Sequence, residues 1–246
     1  MGFEFNIIYV YIALIVFFAT MTRAAIGFGG ALIAMPLLTL LLPIKETSPL
    51  VALMTNTNAI FILLGSWREV RVKSAWRLIL ASLVGIPIGV VILSQAYQGL
   101  VTGLLGVIII LFAGYSLFNP EIKVKVNENT AFLFGFFAGI LGGAYNANGP
   151  LVVIYATMRK WPAEKFRATL QGYFFPIGLV IIFGYVLSGL YTRTVFLYYL
   201  YAALPATFLG YLTGNLIHHR IPQNLFKQMV YLLLIAVGVS LIIKVF

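Results

Sequence analysis

The sequence predicts an all-α integral membrane protein of two inverted repeats, each a glycine-broken helical hairpin followed by three transmembrane helices. Three observations lead there: an apolar composition, two overlong apolar segments interrupted at glycines, and the distribution of positive charge. Of 246 residues, 62% are hydrophobic and 9% are charged, where soluble domains carry about a quarter charged residues. A membrane span needs about 20 apolar residues. The chain divides into eight apolar segments, at 6–42, 49–66, 76–94, 98–118, 130–158, 168–189, 195–214 and 225–244. The longest polar stretch, from Asn119 to Thr130, is too short for a soluble domain, which places any function inside the membrane.

The first and fifth segments are the odd ones. The first is too long for one span and is interrupted by Gly27-Phe28-Gly29-Gly30. The fifth repeats the pattern, with Gly142-Gly143 followed by Asn146-Ala147-Asn148-Gly149-Pro150 and then a second apolar run. Setting Gly29-Gly30 over Gly142-Gly143 brings Pro36 almost onto Pro150, and a slightly larger shift brings Pro87 onto Pro205. The chain therefore reads as a tandem duplication, with an N-terminal repeat at 1–118, a linker loop at 119–129 and a C-terminal repeat at 130–246.

Charge decides the relative orientation of the repeats, because cytoplasmic loops are enriched in Lys and Arg. If all eight segments crossed, only half of the sixteen basic residues would lie on the cytoplasmic side. If the two broken segments are hairpins and the N-terminus is outside, the cytoplasmic set is Arg68, Arg71, Lys73, Arg77, Lys123, Lys125, Arg159, Lys160, Lys165, Arg167, Arg220 and Lys227, twelve of sixteen. Each half then crosses the membrane an odd number of times, so the repeats are inverted and both termini lie outside. The net charge of +10 follows from this topology and does not indicate nucleic acid. Glu4 and the lack of any basic residue before the first apolar run differ from a cleaved signal peptide, so the N-terminus is expected to be retained.

Non-helical backbone in a membrane must face protein or a water-filled cavity, so the two glycine-rich breaks are expected inside. A new half-helix should begin after each, near Ala31 and at Pro150 or Leu151, and Pro suits a first helical turn. Helix starts offer free N–H groups and a positive dipole end, which hold anions. The candidate binding residues at the breaks are Gly27, Phe28, Gly29, Gly30, Gly142, Gly143, Asn146, Asn148 and Gly149. The competing role for the glycines is close helix packing. Arg23, four residues before Gly27, lies at membrane depth, where a charge is functional by default and a planar guanidinium suits an oxoanion. Its alternative is to snorkel to a surface. Asn56, Asn58 and Gln171 add neutral donors, which could equally serve hydrogen bonds between helices.

There is no cysteine, which removes disulfides, thiolate metal sites and thiol nucleophiles together. There is no Asp, and the six Glu residues (Glu4, Glu46, Glu69, Glu121, Glu128 and Glu164) lie in termini or loops. Proton relays within the spans are therefore not expected. His218-His219-Arg220 reads as a solvated basic loop, not a metal site. No catalytic residue, metal or cofactor is expected.

In the paired motifs Gly27-Phe28-Gly29-Gly30 with Pro36, and Gly142-Gly143 with Gly149-Pro150 and Tyr155, each in a half of four segments, the chain resembles the TauE/SafE family of membrane permeases, the sulfite exporters. The resemblance covers nearly the whole chain. It implies export of a small sulfur-containing or organic anion of the sulfite, sulfoacetate or thiosulfate class, by a secondary transporter or potential-driven uniporter working by alternating access in the plasma (inner) membrane. The partners so implied are that anion and the lipid bilayer, and oligomeric state is left open. Phe28, Asn146 and Asn148 depart from the fuller family pattern at the positions where selectivity should reside. An anion channel is the nearest alternative. A membrane-embedded enzyme or assembly partner lacks sequence prompts, including any G-x-S-x-G motif.

Overall fold

The computed structural model describes residues 7–70, 72–118, 127–159, 161, 163–217 and 223–245. The histidine loop at 218–220 and most of the 119–129 linker lie outside them. The described regular elements are all helical: α1 (Ile7–Ile26), α2 (Gly30–Leu41), α3 (Ile44–Ser66), α4 (Val72–Gln95), α5 (Gln98–Phe118), α6 (Thr130–Tyr145), α7 (Gly149–Met158), α8 (Ala163–Leu187), α9 (Arg193–Tyr198), α10 (Leu204–Ile217) and α11 (Gln223–Val245). A wider turn over Tyr199–Ala203 joins α9 to α10. Large apolar side chains such as Leu64, Leu111, Phe183 and Leu216 remain exposed on the outside of the bundle. An apolar surface of that extent belongs in lipid. Six of the helical stretches among the described residues are long and apolar enough to cross a membrane, so this is a multi-pass membrane protein.

Both overlong segments break where the sequence reading placed breaks, but different residue types carry the two turns. The first break is Gly27-Phe28-Gly29, with φ of 98° at Gly27 and 97° at Gly29, a region glycine enters without steric cost. The second is Asn146-Ala147-Asn148, and Asn146 takes φ 54°. Asn tolerates this left-handed conformation better than most residues with a side chain. Gly30 opens α2 and Gly149 opens α7. Gly142 and Gly143 lie in the last turn of α6, not in the break. Pro150 occupies the first turn of α7 as expected.

The second hairpin enters and leaves at one end of the bundle. Glu128, just before α6, binds Arg159, just after α7, at 3.2 Å, and Arg77 near the start of α4 at 2.5 Å. Phe134 of α6 and Tyr155 of α7 meet at 5.7 Å between ring centres. α6 runs parallel to α4, with Gly135, Gly139 and Gly143 against the backbone of Leu78, Ser82 and Ile86. α1 runs parallel to α10 in the same manner, with Gly210 against Phe17 and Gly214 against Met21. α3 and α8 are antiparallel, joined by Val70 at Gly172, Asn56 at Gly178 and Tyr191 at Pro49. The segment after α2 reaches the last turns of α4 through Lys45 Nζ, which donates to Ser94 O at 2.7 Å. The α1–α2 hairpin thus opens toward the end where α4 finishes, and the α6–α7 hairpin toward the end where α4 begins.

The arms are unequal, which apolar length alone does not reveal. At 20 residues α1 is long and apolar enough to cross by itself, whereas α2 has 12, α6 has 16 and α7 has 10. At about 1.5 Å per residue these correspond to roughly 30, 18, 24 and 15 Å. The position of the positive-φ residues, not the midpoint of each apolar run, decides where the chain turns.

Candidate anion site

The two breaks meet. One cavity is lined by Arg23, Phe28, Gly29, Gly30, Ala31, Leu32, Asn146, Ala147, Asn148, Gly149 and Phe174. It has a volume of about 20 Å³, room for about one water-sized body. The first helical bond of α2 runs from Ile33 N to Gly29 O at 3.0 Å, and that of α7 from Val152 N to Asn148 O at 3.4 Å. The amides of Gly30, Ala31 and Leu32, and those of Gly149 and Leu151, come before those bonds and have no helical acceptor. Because α2 runs toward one end of the bundle and α7 toward the other, their positive ends face each other across this cavity.

Arg23 is 6% exposed and supplies the charge. Its Nε and Nη2 donate to Gln171 Oε1 at 3.2 and 2.8 Å, and its guanidinium stands 4.9 Å from the ring centre of Phe174. Gln171 in turn donates from Nε2 to Gly27 O at 2.6 Å. One amide side chain on α8 therefore orients the arginine and ties down the first break. The ion pairs among the described residues are those of Glu128 with Arg77 and Arg159, so no described carboxylate neutralises Arg23. The snorkelling alternative does not apply, since the side chain turns inward onto α8.

Asn146 has a different role from Asn148. Its Nδ2 donates to Ser48 O at 2.8 Å and to Tyr185 Oη at 3.3 Å, and Tyr185 donates to Gly143 O at 2.8 Å. These bonds hold the second break against α3 and α8. The Asn148 side chain packs over Gly142, where an added Cβ would lie 3.3 Å from Asn148 Cβ.

Of the residues read as candidates from sequence, Arg23, Phe28, Gly29, Gly30, Asn146, Asn148 and Gly149 line the cavity. Gln171 and Gly27 stand directly behind it through the bonds just described. Asn56, Asn58, Gly142 and Gly143 do not line it. Asn58 Nδ2 donates to Thr20 O at 3.2 Å, Asn56 faces Gly178, and Gly143 packs on Ile86 O. Asn58 and Gly143 thus make contacts between helices, the competing role for such residues, whereas Asn56 Oδ1 is buried without a hydrogen-bond partner among the described residues. Sequence reasoning missed Phe174, Ala31, Leu32 and Ala147. Phe174 was within reach, because it lies three residues after Gln171 and so on the same helical face.

Gln171→Glu is expected to lower anion flux at least tenfold although it preserves shape. A carboxylate at the Gln171 position would neutralise Arg23 from within and repel an incoming anion. Reconstituted flux checks this, with Gln171→Met as the uncharged comparison: a Glu variant as active as the parent would remove Arg23 from the anion's path.

A chain with many apolar helices and two interrupted ones meeting at a polar cavity belongs to the class of multi-pass membrane transport proteins. The sequence model of the sulfite exporter TauE/SafE family matches residues 12–241, and the chain belongs to that family. Membership implies a membrane exporter of sulfite or a related anion, and a transporter instead of an enzyme. No curated protein and no solved structure matches the chain.

Proposed function

We propose that this chain is a carrier that moves a small oxoanion of the sulfite, thiosulfate or sulfoacetate class outward across the plasma membrane. The observation that carries the reading is Arg23: a buried arginine without a carboxylate partner among the described residues, facing two helix starts with unused amides. A buried unpaired charge costs several kcal/mol, and a bound anion removes that cost while taking hydrogen bonds from the Gly30–Leu32 and Gly149–Leu151 amides. The repeats act as an inverted pair with both termini outside, and Arg68, Arg77, Arg159 and Arg167 mark the cytoplasmic end.

The cavity holds about one water-sized body, less than an oxoanion needs, so passage requires the breaks to open. In alternating access the α1–α2 and α6–α7 hairpins would part on one side at a time, with Gln171 and Asn146 as the respective ties. Glu46, Glu69, Glu128 and Glu164 all stand at helix ends or in connections, so none of them is placed to carry a proton with the anion. The membrane potential alone supplies about 2.3 kcal/mol per charge per 100 mV, enough for roughly a fiftyfold gradient of a monovalent anion.

The test is sulfite and thiosulfate flux in proteoliposomes under an imposed potential without a pH gradient. Saturable flux that scales with voltage is expected. Flux that appears only with a proton gradient would overturn the uncoupled mechanism, and single-channel currents would identify a channel in place of a carrier.

A further inference from the structure

A second arginine approaches the central site from the end of the bundle where α8 begins. Arg167 lies four residues before Gln171 and seven before Phe174, so the three side chains follow one another along one face of α8. The step from Arg167 to Gln171 is about 6 Å of helix rise. The first break links the two arginines. A Cβ added at Gly27 would lie 3.1 Å from Arg167 Cγ and 3.2 Å from its Cα, while Gly27 O receives the bond from the Gln171 that holds Arg23.

Packing among the described residues does not account for the charge of Arg167. Its Nη2 donates to the neutral Asn215 Oδ1 at 3.1 Å, and its Nε is buried without a partner there. Among the described side chains no carboxylate forms an ion pair with it. A cation in the first turns of a helix is opposed by the helix dipole, so stability of α8 does not explain it either. The side chain is partly exposed, and a guanidinium carries five donors in a planar fork, more than these contacts use.

We propose that Arg167 forms a second, outlying anion site that takes the same class of small oxoanion from solution at the end where α8 begins and passes it across Gly27 to Arg23. The role in transfer rests on the carrier reading above, whereas anion binding at Arg167 does not require it. The fork would grip two oxygens of the anion; Gly27 packs closely on Arg167, so transfer to Arg23 requires the first break to open, as it does in the carrier cycle.

Two measurements test it. In proteoliposomes of known orientation, Arg167→Gln should raise the KM for sulfite about tenfold when sulfite is presented at the end where α8 begins, and leave it within about twofold at the other face. Arg167→Lys should recover part of the loss, because it keeps the charge but not the fork. An equal loss from both faces would mark Arg167 as merely structural, and an unchanged KM at both would remove it from the path; either overturns the proposal. Independently of transport, Trp161, whose ring is 6.5 Å from that of Phe166, can report iodide in a protein carrying Trp67→Phe and Trp76→Phe. Quenching should be severalfold weaker in Arg167→Gln than with Arg167 present, and equal quenching would overturn the site. Quenching that depends on Arg167 in a protein with no sulfite flux would sink the carrier reading and leave the anion site standing.

Discussion

Arg23→Ala is expected to reduce sulfite flux by about a hundredfold or more while the protein still folds and inserts. Removing one partner of a buried, hydrogen-bonded charge pair costs about 2–5 kcal/mol, and each 1.4 kcal/mol is a factor of ten in affinity. In this protein the partner left behind would be the transported anion, so the loss should appear in transport and not in stability. Stability should change little, because removing an uncompensated buried charge is favourable and offsets the cost of leaving the buried Gln171 Oε1 without its two donors. Arg23→Lys is expected to fall between parent and alanine variant: it keeps the charge but loses the two-point hold on Gln171 Oε1. Flux and thermal unfolding measured on the same detergent-purified samples check both halves. Full flux in Arg23→Ala would move the anion's path away from the breaks.

Gly89→Ala should lower folding stability more than most single methyl additions to this bundle. The new Cβ would lie 2.1 Å from Ile140 O and 2.8 Å from Ala144 N. Both are backbone atoms of α6, so relief requires the two helices to separate instead of a side chain to rotate. Overpacking of this kind costs about 1–3 kcal/mol, occasionally more, and backbone neighbours that cannot rotate away put Gly89 at or above the upper end. Separation would also pull α6, and with it Asn146, away from the cavity. The expected result is a marked drop in folded yield and unfolding midpoint, together with lost flux in whatever folds. Gly114→Ala is the control, since a Cβ there meets nothing within 4 Å. A Gly89→Ala protein as stable as Gly114→Ala would show that α4 and α6 pack less tightly than described.

Composition and periodicity were enough to read the helical membrane class, the two interrupted segments and the placement of their breaks in the interior. That reading works because hydrocarbon admits so few backbone solutions: any glycine-rich break in an apolar run must be buried against protein or line a cavity. Arg23 was legible for the same reason, as a charge with no low-cost position at that depth. Gly29-Gly30 and Gly142-Gly143, set over one another in the sequence reading, take different positions relative to their breaks, because glycine serves two purposes in such a chain. Gly27 and Gly29 supply positive φ, while Gly143 lets α6 approach α4, and residue type alone does not separate these uses. The second break is carried instead by Asn146 in the left-handed region, held by Ser48 and Tyr185 from elements distant in sequence.

By itself, then, the sequence determined that this is a helical membrane protein with two interrupted apolar segments, because burial and hydrogen bonding in lipid are local demands that each segment must meet. Only the tertiary structure decided which residues share the site. Arg23 from α1 meets Gln171 and Phe174 from α8, and two helix starts far apart in the chain come to face one cavity. It also decided that Asn56, Asn58, Gly142 and Gly143 stand outside that cavity. Those outcomes depend on the distances and angles between packed helices, which no single segment encodes.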